Sequence, residues 1–327
     1  MKAKPWVYIL MLLLAGCAAQ PKVGEVLLPA AQPTPQPGQE AVIPPAAPAA
    51  VAKPTPAKPI PLKVALVLGG GAVRGFAHIG VIKVLEAQGI VPDMIVGTSA
   101  GSVVGALYAA GYSGFELQKI AFRLEEESVG DWVIPDRGFI KGEALQNFIN
   151  KAVQNKPIEK LRKPFAAVAT DLQSGDMMVF SRGNTGMAVR ASSSVPGIFQ
   201  PVTISGHDYV DGGLVSPVPI RVARSLGADI VIAVDISAKP KYARIEGLTD
   251  ILLQTFGIMG QSIRNQELPD ADVLIRPATG TFGSSDFTQK HLAILEGEKA
   301  AQAALPLIRQ KLQQAAASKA APPAAPR

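Results

Sequence analysis

Four short runs along the chain are apolar almost without a break: KVALVL at 63–68, DMIV at 93–96, FAAVA at 165–169 and DIVIAV at 229–234. Runs of this length without polar alternation suit strands covered on both faces, as in a parallel sheet. Between them, residues 80–88, 115–126, 143–153, 219–226 and 248–265 space their apolar positions at the helical period, and a last helix is expected over 290–312. Strands and helices alternating in this way predict a doubly wound α/β domain over 63–314, a three-layer α/β/α sandwich with a mainly parallel central sheet.

Both ends break that pattern. Residues 1–16 set two lysines before an apolar run from Trp6 to Leu14 and then small residues, the layout of a secretory signal peptide. The run falls far short of the ~20 residues that span a bilayer. LAGC at 14–17 resembles the bacterial lipobox, with the one cysteine of the chain, Cys17, at the position that motif requires. The resemblance implies cleavage before Cys17, lipidation of its thiol and a lipid anchor in the bacterial cell envelope. Ala18 after the cysteine points to the outer membrane, facing the periplasm. Residues 17–62 hold twelve of the 28 prolines and few charges, so they read as a tether biased to extended polyproline conformations. The Ala- and Pro-rich stretch 315–327 reads as a disordered tail.

Composition then narrows the function classes. Of the net charge of +6, five lysines against two glutamates in 1–62 account for +3, leaving 27 basic and 24 acidic groups on the rest. The domain is nearly neutral and has no basic runs interleaved with aromatics, so no nucleic-acid partner is expected. One cysteine cannot build a disulfide framework or a cysteine zinc site, and no acidic cluster has calcium-loop spacing. Neither a metal nor a cofactor is expected.

Three glycine-marked sites carry candidate chemistry. Gly69-Gly70-Gly71-Ala72-Val73-Arg74-Gly75 follows the first strand, where bare backbone N–H groups at a helix start suit an anion. It lacks the Lys-Ser/Thr of a triphosphate-binding loop and the third glycine and acidic ribose partner of a dinucleotide site, which leaves a transient oxyanion. Gly97-Thr98-Ser99-Ala100-Gly101 is a G-x-S-x-G sequence between a strand and a small-residue helix at 102–110, the context of a nucleophile elbow. Asp211-Gly212-Gly213 puts a carboxylate at the end of a short strand. By itself it is an Asp-Gly turn; beside Ser99 it is a proton acceptor. The chain has three histidines, and of these His291 alone follows Asp211 in the Ser, acid, His order of α/β-hydrolase triads, while His78 reads as a packing or loop-orienting group. A serine paired directly with a carboxylate is the simpler reading.

GGGAVRGFAHIG, GTSAGS and DGG, in this order and spacing, resemble the signature blocks of patatin-like phospholipases. ATDLQSG at 169–175, VRASSSVPGIFQPV at 189–202, GAD at 227–229 and DVLIRP at 272–277 are similar to bacterial members as well. One departure is Ala72, where some members have a fourth glycine. The resemblance implies that Ser99 is the nucleophile and that Asp211 takes its proton and later activates water. It further implies an oxyanion hole of the Gly70, Gly71 and Ala72 amides, with Arg74 holding the loop. The expected activity is a serine acyl hydrolase of phospholipase A or lysophospholipase type acting on phospholipid or other lipid esters. Two alternatives stand beside it: a triad esterase using His291, and a catalytically silent lipid-binding scaffold in the periplasm. Residues 123–142, with no regular pattern, are a candidate lid.

Overall fold

A computed structural model of the chain describes residues 61–123, 141–237, 247–280, 282 and 287–320. The expected signal peptide, Cys17 and nearly all of the tether lie outside the described residues, as does the candidate lid from 124 to 140.

The four apolar runs become the inner strands. β1 (Val64–Leu68) is flanked in parallel by β2 (Met94–Thr98) and β7 (Ile230–Val234). β3 (Phe165–Asp171) extends the parallel sheet beyond β2, and β8 (Val273–Ile275) extends it beyond β7. Antiparallel strands complete it: β4 (Met177–Phe180) and β6 (His207–Asp211) both pair with β3, and β5 (Val202–Ile204) pairs with β6. Among the described residues the order is β5-β6-β3-β2-β1-β7-β8, with β4 also on β3.

β1 explains why its run shows no alternation. Val64, Leu66 and Leu68 enter a cluster with residues of α1 (Phe76–Ala87), α2 (Ala100–Ala110), α3 (Gly114–Arg123), α4 (Glu143–Ala152) and α5 (Thr185–Ser192). Ala65 and Val67 enter a second cluster, with Val218 and with Ile220 and Val222 of α6 (Ile220–Ser225). Both faces are covered, so every position is selected for burial. The first cluster carries the larger side chains, among them the fully buried Leu66, Leu68, Ile82 and Leu85, each worth about 1.5–3 kcal/mol in area removed from water. Helices α7 (Leu248–Glu267) and α8 (Lys290–Ala320) complete the layers, so the domain is the three-layer α/β/α sandwich with a mainly parallel sheet. α8 lies against α1 at backbone contact: a β-carbon on Gly80 would stand 2.0 Å from the Ile294 carbonyl oxygen, and one on Gly297 2.0 Å from that of Ala77.

The tail expectation needs correction. α8 continues through Ala320, into the stretch read as a disordered tail. Alanine is the best helix former, and Lys319 ties this end down by donating to Asp229 Oδ2 at 2.6 Å and to the Pro61 carbonyl at 3.1 Å. The proline-rich end from 321 lies outside the described residues.

Candidate active site

β2 ends at Thr98, and the chain reverses at Ser99 into α2. Ser99 has φ 53° and ψ −125°, a conformation that costs a side-chain-bearing residue about 1–3 kcal/mol and persists only where its surroundings over-determine it. Two glycines permit the turn. A β-carbon on Gly101 would stand 2.0 Å from the Leu68 carbonyl oxygen, and one on Gly97 2.5 Å from that of Gly101. Hydrogen bonds hold what the glycines permit: the Ser99 N–H donates to Ser192 Oγ at 3.0 Å, and the Ser99 carbonyl accepts from the Ser102 N–H at 2.8 Å and its hydroxyl at 2.7 Å.

Asp211 reaches this elbow through the sheet. β3 pairs with β2 over its first half and with β6 over its second, so Thr98 registers with Val168 while Asp211 registers with Ala169, the next residue. Two strand ends separated by more than a hundred residues of chain therefore meet at adjacent positions of one strand. Asp211 is 6% exposed, and burial, the dominant influence, pushes its pKa up to about 6. The Ser99 hydroxyl and the Gly213 N–H, which donates to Asp211 Oδ1 at 2.7 Å, pull it part of the way back. Oδ2 is buried and has no partner of good hydrogen-bond geometry, so Ser99 lies close enough to bias the carboxylate without saturating it. Such long or misaligned contacts are usual in an acid–base pair before substrate binds.

In the glycine loop the N–H groups divide into two sets. Those of Gly69 and Gly70 are committed to the carbonyls of Val234 at 3.0 Å and Pro217 at 2.9 Å. Gly70, one of the three expected oxyanion donors, is thus occupied: it stitches the end of β1 to the segment before α6. It remains the loop's point of contact with the elbow, since a β-carbon there would lie 3.2 Å from Ser99 Cβ. Among the described residues the amides of Gly71 and Ala72 have no acceptor, nor does that of Ala100, the first residue of α2. Ala72 adopts φ 51°, in the left-handed region where a β-carbon costs about 1 kcal/mol. That strain is the physical reason a glycine suits the position. Arg74 lies in the 3-10 turn Ala72–Gly75 that follows, donating from Nε to the Ile236 carbonyl at 3.0 Å and from Nη1 to that of Phe282 at 3.4 Å. Burial lowers its pKa.

No histidine completes the pair. His78 is fully buried with Nε2 2.8 Å from the Gly69 carbonyl, and desolvation lowers its pKa to about 4, so near neutrality it is an uncharged donor to the loop. His207 Nδ1 lies 2.7 Å from Asp171 Oδ2, and His291 is exposed at the start of α8. None of the three hydrogen-bonds to Ser99 or Asp211.

Four neighbouring residues, Ser192, Thr98, Ser216 and Glu267, support the site with no sign of it in the sequence. Ser192 is fully buried, and besides accepting the Ser99 N–H it donates to the Val168 carbonyl at 2.6 Å. Thr98 donates to the Ser216 carbonyl at 2.9 Å, and the Ser216 hydroxyl faces both Glu267 oxygens at 3.0 and 2.9 Å. The serine run of 189–202 was visible as part of a family block; its partners, drawn from other strands, were not. A surface cleft lined by Gly111, Tyr112, Glu116 and Arg162 sits at the far end of α2, about 16 Å from Ser99 by helix rise, and holds none of the candidate residues. Among the described residues no group of three or more His, Cys, Asp or Glu is placed to hold a metal ion, and no helix is long and apolar enough to cross a membrane.

Fold and site define an α/β protein organised around a strand–turn–helix serine elbow with a buried carboxylate beside it. The family model described as patatin-like phospholipase matches residues 66–224, and this span, which contains both Ser99 and Asp211, belongs to that family. It is 38% identical over 184 residues to patatin-like phospholipase domain-containing protein 6 of Homo sapiens, a match covering 54% of this chain and 13% of that protein. An uncharacterized NTE family protein of Mycobacterium tuberculosis is 31% identical over 267 residues, covering 73% of this chain and 46% of the relative. The chain thus spans less than half the length of either. Among solved structures, VipD from Legionella pneumophila aligns with a TM-score of 0.49 at 13% identity, over 77% of this chain and 67% of that one.

Proposed function

We propose that the domain is a serine acyl hydrolase of lipid carboxyl esters, of phospholipase A or lysophospholipase type, working through Ser99 and Asp211. The observation that carries this reading is the strained Ser99 elbow beside a buried carboxylate that keeps one oxygen unpartnered. In the first half-reaction Ser99 Oγ attacks the ester carbonyl carbon while its proton passes to Asp211. A pKa near 6 makes this carboxylate a better base than the usual aspartate, yet leaves it ionised at neutral pH. The oxyanion that forms is received by the free amides of Gly71 and Ala72, each such donor being worth about 3 kcal/mol to the transition state. Collapse expels the alcohol, which takes the proton from Asp211 and leaves an acyl ester on Ser99. Water then enters, gives its proton to Asp211 and attacks the acyl carbon; fatty acid departs and the proton returns to Ser99 Oγ.

A fluorophosphonate probe with a short-chain ester assay tests the reading. The wild type is expected to be labelled and to turn over, and Ser99→Ala to do neither. Turnover retained in Ser99→Ala, or a wild type inert to both reagents, overturns it. Export and lipid anchoring through Cys17 belong to the same proposal and are tested apart from activity: Cys17→Ala should move the protein from the membrane to the soluble fraction.

A further inference from the structure

We propose that Ser192 is a positioning residue for the Ser99–Asp211 pair, the side-chain half of a clamp in which the segment 192–194 fixes the backbone of both groups. This rests on the acyl hydrolase reading and goes beyond it by naming what keeps the pair aligned. Ser192, the last residue of α5, is fully buried and makes two hydrogen bonds through one hydroxyl. Its proton goes to the Val168 carbonyl at 2.6 Å, and its lone pair receives the Ser99 N–H at 3.0 Å. Two residues later, the Ser194 carbonyl receives the Asp211 N–H at 2.9 Å. Val168 is also the β3 residue registered with Thr98, and Ala169 the one registered with Asp211. The clamp therefore closes over the single point in the sheet where the two strand ends meet.

The N–H that Ser192 holds belongs to the residue with φ 53°. A strained turn relaxes along whatever coordinate is least restrained, and for Ser99 the bond to Ser192 opposes rotation of the peptide that enters the elbow. Without it, the Ser99 hydroxyl drifts relative to Asp211. Misplacement of a reacting group by about 1 Å can cost about 100-fold in rate while leaving substrate binding nearly untouched.

The test compares two variants of the full chain that each remove one buried hydroxyl from α5. Ser192→Ala breaks the clamp. Thr185→Val removes a hydroxyl that is also fully buried but donates at 2.7 Å to the Lys156 carbonyl, away from Ser99 and Asp211. Ser192→Ala is expected to lose about 100-fold in fluorophosphonate labelling and in kcat on a short-chain ester, with KM changed by less than about threefold. Thr185→Val, with a comparable fall in Tm, should keep rates near wild type. Ser192→Cys, whose sulfur accepts weakly, should recover part of the loss, and it carries the comparison if Ser192→Ala does not fold. Equal labelling rates for the Ser192 and Thr185 variants overturn the proposal. A wild type that neither labels nor turns over would remove the hydrolase reading. The clamp is then judged by amide hydrogen exchange at Ser99: protection lost in the Ser192 variant alone supports it, and protection unchanged refutes it.

Discussion

Asp211 and Glu267 are two carboxylates with the same exposure, 6%, and opposite fates. Burial is the main influence on both and pushes them the same way, to about 6 for Asp211 and about 7 for Glu267. They differ in what their oxygens meet. The Ser216 hydroxyl lies against both oxygens of Glu267 and donates to the pair, so the carboxylate closes a brace between α7 and the segment leading to α6. Asp211 has one oxygen on the Gly213 N–H and the other unpartnered beside a strained serine. Desolvation alone raises a pKa; a base also needs an oxygen left free and a proton donor held near it.

The strongest way to break that contrast is Asp211→Asn. Turnover of a short-chain ester should fall by about 10³-fold, as expected when a general base is removed, while the fold at pH 8 is unharmed because a penalised charge has been deleted. Loss of folding together with activity would make Asp211 a brace like Glu267.

The pH dependence sharpens the contrast next. On the proposed mechanism Asp211 acts as the carboxylate, so kcat/KM should climb through about pH 6 and level off above it. Stability should run the other way. Both carboxylates have folded pKa values above their unfolded ones, so their contribution is full below about pH 4 and is lost as pH rises through about 6 and then about 7. His78, depressed to about 4, adds an opposite loss as pH falls from about 6.5 through 4. Thermal melts between pH 4 and 8 check the sum, and in Asp211→Asn the decline above pH 5 should be smaller.

Smaller effects separate the brace from the base. Ser216→Ala strips Glu267 of its donor and should cost about 1–3 kcal/mol of stability at pH 8, measured by denaturant unfolding. Glu267→Gln keeps the shape and removes the charge. It should raise stability at pH 8 by about 1 kcal/mol and change kcat by less than about threefold, since the residue has no part in proton transfer.

What the sequence makes legible follows from which side chains report their surroundings. Strands buried on both faces appear as unbroken apolar runs, and the elbow at Ser99 is legible because Gly97 and Gly101 are the residues a turn that tight requires. The antiparallel strands are harder. β5 has three residues and β4 is only partly buried, so neither shows a periodic signature. α8 outruns its expected end because alanine repeats, which read as low complexity, are also strong helix formers. At the site, residue identities point to Ser99 and Asp211, whereas the use of a backbone amide leaves no trace in them. Nothing in Gly70 announces that its N–H is spent on Pro217, and nothing in Ser192 that its hydroxyl receives Ser99.

The meeting of β2 and β6 on adjacent residues of β3 also makes the site depend on two separate parts of the sheet. Ser99 and its elbow belong to the parallel part of the sheet, whereas Asp211 arrives only with the antiparallel hairpin of β5 and β6. A chain that has assembled the first and not the second holds a hydroxyl with no base to activate it. On the proposed mechanism, acyl transfer therefore requires both parts of the sheet, and the elbow alone is inert.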